Sequence, residues 1–110
     1  MRKDPKKYLY DISESINTIF EDYLKGIDTY EQYADNAMVR DAVERRLTVI
    51  AEALYKLRRN GITLASGDQI INRRNTMIHQ YEEYNPRKIW RGIWEELPGL
   101  KAETDRLLVE

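Results

Sequence analysis

The stretch that leaves this chain least freedom runs from residue 36 to residue 60. Val39, Val43, Leu47, Ile50, Leu54 and Leu57 step by four, four, three, four and three, which lines one face of a helix turning about 100° per residue. A strand would need apolar residues at every second position. The reading is a long amphipathic helix capped by Asp35 or Asn36 and stopped at Asn60 and Gly61. Such a stripe must be buried against something, and no other segment alternates as a strand would. The chain is therefore expected to be all-α, an up-down helical bundle of four to five helices forming a single domain over residues 1–110.

The remaining elements follow from caps and breakers. Asp4 and Pro5 make a helix start, with Leu9, Ile12, Ile16, Ile19 and Tyr23 recurring along one face up to Gly26. Thr29 to Gln32 has capping-box spacing and predicts a short turn of helix before the long one. Ser66 to Gln69 repeats that spacing and launches a further helix. Asn85 and Pro86 start another, with Ile89, Ile93 and Leu97 inward, joined by Trp90 and Trp94, which at this spacing are expected to be core aromatics rather than base-stacking platforms. Pro98 is expected to end it and open a last helix carrying Leu100, Leu107 and Leu108. Most of the arginines of the long helix, Arg40, Arg45, Arg46, Arg58 and Arg59, are expected to be solvated or paired with Asp41, Glu44 and Glu52.

A polar cluster, RNTMIHQY, residues 74–81, holds the only histidine of the 110-residue chain. On a helix, Ile70, Ile71, Met77, Ile78 and Tyr81 form an apolar stripe with Arg74 in its middle. A guanidinium there is costly unless it is paired or lines a cleft. His79 lies roughly 140° around from Arg74, on the flank with Asn75. A histidine beside an apolar stripe is ordinarily structural, and an asparagine in a helix can simply mark a bend. Arg, Asn, His and Tyr together are harder to ascribe to packing. They suit metal-independent RNA scission, in which a ribose 2′-hydroxyl attacks the adjacent phosphate. His79 would move the proton, Arg74 would hold the phosphate oxygens and Asn75 would orient the phosphate or the imidazole. One imidazole does not easily serve as both acid and base, so a homodimer with two converging His79 side chains is expected.

Composition narrows the alternatives. With 18 basic and 19 acidic residues the formal charge is −1, so nucleic acid would have to be held by a local patch. Arg73, Arg87, Lys88 and Arg91 are the candidates, although mixed charge at this density is commonly a solvated face. There is no cysteine, so neither a disulfide framework nor a thiolate zinc site is possible. No metal or cofactor is expected. The five glycines fall in no phosphate-loop spacing, and Thr76 stands where a Glu-x-x-His di-iron motif would need its glutamate. No apolar run approaches the about 20 residues that span a bilayer, and MRKDP is followed by no signal-peptide core, so a cytoplasmic location is expected.

Arg74, His79 and Tyr81 in the order R-x-x-x-x-H-x-Y resemble the signature of HepT-type toxins of the HEPN superfamily. DNAMVRDAVERRLTVIAEA, residues 35–53, is similar to that family's long second helix. The chain departs from the family just before the arginine: members often carry an aromatic residue and a Gly-Met pair there, and this chain has Ser66, Gly67, Asp68 and Gln69, then Asn72 and Arg73. The resemblance implies a HEPN-like bundle and a ribonuclease toxin of a type II/VII-like toxin-antitoxin system, acting as a dimer with a composite site. It also implies a partner, a minimal nucleotidyltransferase antitoxin of the MntA type that silences the toxin by transferring AMP to Tyr81, with Tyr84 the neighbouring candidate. The alternative is a non-catalytic dimeric helical module that uses the same residues to bind a nucleotide or the nucleotidyltransferase.

Overall fold

The computed structural model describes residues 4–65, 67, 70 and 85–110. Among them are four α-helices and no strand, so the all-α expectation holds. Helix α1 covers Pro5–Thr18, with the Asp4 carboxylate accepting from the Lys6 N–H at 2.9 Å and Pro5 in the first turn. Leu9, Ile12 and Ile16 are buried along it.

From Ile19 to Tyr23 the coil widens to a π-helix, and the Leu24 N–H donates to the Ile19 carbonyl at 2.9 Å. A five-residue step moves the buried face on by one position. Leu24 is therefore buried while Tyr23, expected inward, is half-buried. The Tyr23 hydroxyl accepts from Arg46 Nε at 3.4 Å, so this arginine is turned to α1.

Helix α2, Tyr30–Ala34, is the short turn, and both halves of its capping box form between Thr29 and Gln32. Its inward residue, Tyr33, is fully buried. Arg40 is not a surface ion-pair residue: its guanidinium donates to the Ala34 carbonyl at 2.7 Å, satisfying a group the end of α2 leaves over.

Helix α3, Ala37–Arg59, is the long element, capped by Asn36, whose side chain accepts from the Val39 N–H. Val43, Leu47, Ile50, Leu54 and Leu57 are buried. At its end the Ile62 N–H reaches the Leu57 carbonyl at 2.9 Å and the Gly61 N–H reaches Arg58 at 3.0 Å. This is a Schellman stop, and Gly61 supplies the left-handed residue at φ 82°. Gly67 and Ile70 have helical backbone, and Ile70 joins the core. The rest of the helix expected after Ser66 lies outside the described residues.

Helix α4, Pro86–Leu108, corrects the sequence reading. It runs for 23 residues straight through Pro98, without the expected break. Ile89, Ile93, Leu97, Leu100 and Thr104 are buried along a single stripe that keeps its phase across the proline. Burial on both sides of Pro98 holds the helix together against the local cost. Leu107 and Leu108 pack partly against the core.

Helix α1 packs against both α3 and α4, and α2 bridges α3 to α4. Polar ties fix the far end. Asp105 accepts from the Ser13 hydroxyl at 2.6 Å and from the Lys101 ammonium at 2.5 Å, and the Ala65 N–H donates to the Glu103 carboxylate. Hydrogen bonds from Lys101 first and Ser13 second hold the Asp105 carboxyl below its ordinary range. Among the described residues no helix is long and apolar enough to cross a membrane.

Candidate nucleic-acid interface

The chain enters α4 at Asn85, whose side chain accepts from the Arg87 N–H at 2.9 Å. The first turn of α4 contains no acidic residue. Instead Arg87, Lys88 and Arg91 occupy the first two turns, and all three are exposed. A helix N-terminus carries about half a positive charge, so acids are the stabilising choice there and three cations oppose it. The result is a concentrated positive field at one end of α4, in a chain with net charge −1.

The cations stand beside an aromatic row. The Arg87 guanidinium lies over the Tyr30 ring, 4.0 Å from its centroid, which fixes it by a cation–π contact. Trp90 packs against Tyr33 with centroids 5.3 Å apart, and Trp94 meets Trp90 at 5.4 Å, edge to face at 72°. Phe20 closes the row at 5.2 Å from Trp94. Tyr30, Arg87, Trp90, Arg91, Trp94 and Glu95 line an open groove of about 260 Å³. Trp94 also borders a second, more apolar groove between α1 and α4, which Phe20, Pro98 and Lys101 line with it.

Of the residues singled out in the sequence, Arg87, Lys88 and Arg91 fall in this basic end. Arg73, Arg74, Asn75, His79, Tyr81 and Tyr84 lie outside the described residues, as do Ile71, Met77 and Ile78. Trp90 packs against the core as expected, and only Trp94 needs correction. Trp90 is half-buried and Trp94 is 47% exposed, so Trp94 is no core residue. Tyr30 was not foreseen at all. The available signal was the interleaving on α4, where Arg87 and Arg91 alternate with Trp90 and Trp94, each pair one helical turn apart.

The fold places the chain among small all-α helical bundles, here with cations and aromatic rings side by side at one helix end. Comparison narrows the class. Residues 12–107 match the family described as Ribonuclease HepT-like, which is most of the chain, and the chain belongs to that family. It is 33% identical over 107 residues to "Putative RNase MJ1380" of Methanocaldococcus jannaschii, covering 94% of this chain and 96% of that one. It is 28% identical over 110 residues to "Probable ribonuclease HepT" of Thermococcus cleftensis, covering 97% and 98%. A third relative, "Gamma-glutamylcyclotransferase and putative RNase MJ0434" of M. jannaschii, is 31% identical over 113 residues, covering all of this chain and 50% of that one. No solved structure matches the chain. The resemblance of RNTMIHQY and its upstream helix to HepT-type HEPN toxins thus stands as a family relationship.

Proposed function

We propose that this chain is a metal-independent endoribonuclease, the toxin half of a cytoplasmic toxin-antitoxin pair. The observation that carries the reading is the family match over residues 12–107, an interval that includes Arg74, Asn75, His79 and Tyr81. The relatives named as ribonucleases support the same substrate, and the basic end of α4, one cap residue beyond Tyr84, supplies a local positive field that the overall charge does not.

In the proposed reaction the ribose 2′-oxygen attacks phosphorus and the 5′-oxygen leaves, giving a 2′,3′-cyclic phosphate and a 5′-hydroxyl. His79 takes the 2′-hydroxyl proton, and His79 of a second copy in a homodimer protonates the departing oxygen. Arg74 carries the charge that develops on the phosphorane, with a planar fork that can engage two oxygens, and Asn75 orients the phosphate or the imidazole. Arg73, Arg87, Lys88 and Arg91 hold the flanking phosphates. A nucleotidyltransferase antitoxin transferring AMP from ATP to the Tyr81 hydroxyl, with release of pyrophosphate and the phenolic proton, would place a phosphate charge and an adenine where RNA must bind, which competes for Arg74.

The test is cleavage of single-stranded RNA in excess chelator by the purified chain. The wild type should cut, whereas His79→Ala and Arg74→Ala should lose cleavage by about 100-fold or more, as expected for removing a proton-transfer group or a transition-state cation. Rescue of the variants by added metal, or no cleavage by any preparation, would overturn the reading.

A further inference from the structure

Among the described residues, Tyr30, Arg87, Trp90, Arg91, Trp94 and Glu95 line an open groove, and its chemistry is uneven. Trp94 is 47% exposed although the bundle buries other large side chains completely. Its ring is nonetheless held in place, with Phe20 at 5.2 Å and Trp90 at 5.4 Å. A rigid, half-exposed indole loses little conformational freedom when something stacks on it, which is the property of a binding platform. Beside it are two guanidinium groups, one of them pinned over Tyr30 at 4.0 Å.

Resting on the nuclease reading above, we infer that this groove is a subsite for one unpaired nucleotide of the RNA substrate. The base stacks on Trp94, and Arg87 and Arg91 hold the adjoining phosphate. Glu95, at the Trp94 end, repels phosphate and so sets the direction: base toward Trp94, phosphate toward the start of α4. The groove, about 260 Å³ and open to solvent, has room for one planar ring laid on the indole. A protein anchor would favour a groove depleted of charge at its centre, and here guanidinium groups form the wall. Duplex RNA offers no free base face, so the subsite selects single-stranded segments. It would position the strand one or more nucleotides from the scissile bond.

The test uses the full chain and a short mixed-sequence RNA with 2′-O-methyl riboses, which cannot undergo internal attack, so binding is read without cleavage. Fluorescence anisotropy and tryptophan quenching give the affinity. Trp94→Ala should bind at least about fivefold more weakly, the lower end for one stacked base, and Trp94→Phe should restore most of the loss. Arg91→Ala should lower the slope of log affinity against log salt by roughly 0.7, the value for one phosphate on a single strand. An RNA lacking one base at the stacked position should bind the wild type as weakly as the intact RNA binds Trp94→Ala, and the two losses should not add.

The inference is overturned if Trp94→Ala binds RNA like the wild type, if Trp94→Phe binds no better than Trp94→Ala, or if Trp94→Ala changes only the assembly state in sedimentation. These outcomes separate the two readings. A chain that cuts RNA yet binds it equally well without Trp94 keeps the nuclease and loses the subsite. One that binds RNA through Trp94 but cuts nothing in chelator keeps the subsite and loses the nuclease.

Discussion

Replacing Pro98 by alanine should stabilise the protein. Pro98 sits inside α4, where it has no N–H to offer the Trp94 carbonyl and its ring crowds that carbonyl. A proline in a helix interior costs about 3 kcal/mol relative to alanine. Three features of this site reduce the gain. Pro98 is on the exposed side of α4, so water can serve the carbonyl. Its ring lines the apolar groove with Phe20 and Trp94, and those contacts would be lost. The entropy effect of proline on the unfolded chain, about 0.4–1 kcal/mol, also favours keeping it. The net expectation is about 1–2 kcal/mol of added stability. For 110 residues this is a rise in Tm of about 4–9 °C, with an unchanged urea m-value. Circular dichroism during thermal and urea unfolding reads both. A lower Tm would refute the reasoning, because it would mean that the irregularity at Pro98 is needed to seat Leu100 and Thr104 on the core.

Three further outcomes follow from the packing and the caps. Leu100→Ala, at a fully buried position after the proline, should cost about 2–5 kcal/mol in urea unfolding, and a loss below about 1 kcal/mol would show that the second half of α4 is not anchored. Gly61→Ala forces a side chain into φ 82° and should cost about 1–2 kcal/mol, read as a lower Tm without loss of helicity. Asp105 is held below its ordinary carboxyl value of 3.8, first by the Lys101 ammonium and then by the Ser13 hydroxyl. Its contribution is therefore present above about pH 3.8 and lost as pH falls through the lower folded value. Asp105→Asn should flatten that acid limb of the stability curve, and an unchanged limb would remove Asp105 as its source.

The caps were legible because each is a short-range rule. Asp4, Thr29, Asn36, Asn85 and Gly61 perform the roles their types and spacings suggest. What the sequence hid depends on how separate elements meet, even when they are neighbours in the chain, as Arg40 and Ala34 are. The π-helical step at residues 19–23 follows no local signal, since Tyr23 and Leu24 are both apolar enough to face inward and only packing against α3 chooses between them. Arg40 looked like one more surface cation because nothing local places the end of α2 beneath it. Pro98 was overrated for the same reason: a local penalty of about 3 kcal/mol is smaller than the burial of Leu100 with its neighbours, where one fully buried leucine contributes about 1.5–3 kcal/mol.

The basic groove shows where periodicity could have been used more strictly. On α4 the buried stripe of Ile89, Ile93, Leu97, Leu100 and Thr104 has a well-defined centre. Measured from it at about 100° per residue, Trp90 lies roughly 60° off and Trp94 roughly 100° off. Angle alone therefore places Trp90 at the margin and Trp94 outside, as the structure does, with Trp94 at 47% exposure. Hydrophobicity had outvoted geometry in assigning Trp94 to the core, whereas Trp90 does pack against it. Trp94 packs on one side against Phe20 and Trp90, and that packing leaves close to half of a large aromatic surface in water beside arginines one turn away. On the same helix Arg87 and Arg91 project beyond Trp94, roughly 120° and 160° from the stripe centre, where both are exposed and Arg87 rests on the Tyr30 ring. The energetics agree with the angles, since cations at the start of α4 oppose its dipole and an exposed indole leaves apolar surface in water. A phosphate with a stacked base relieves both penalties at once, whereas solvent relieves only the first.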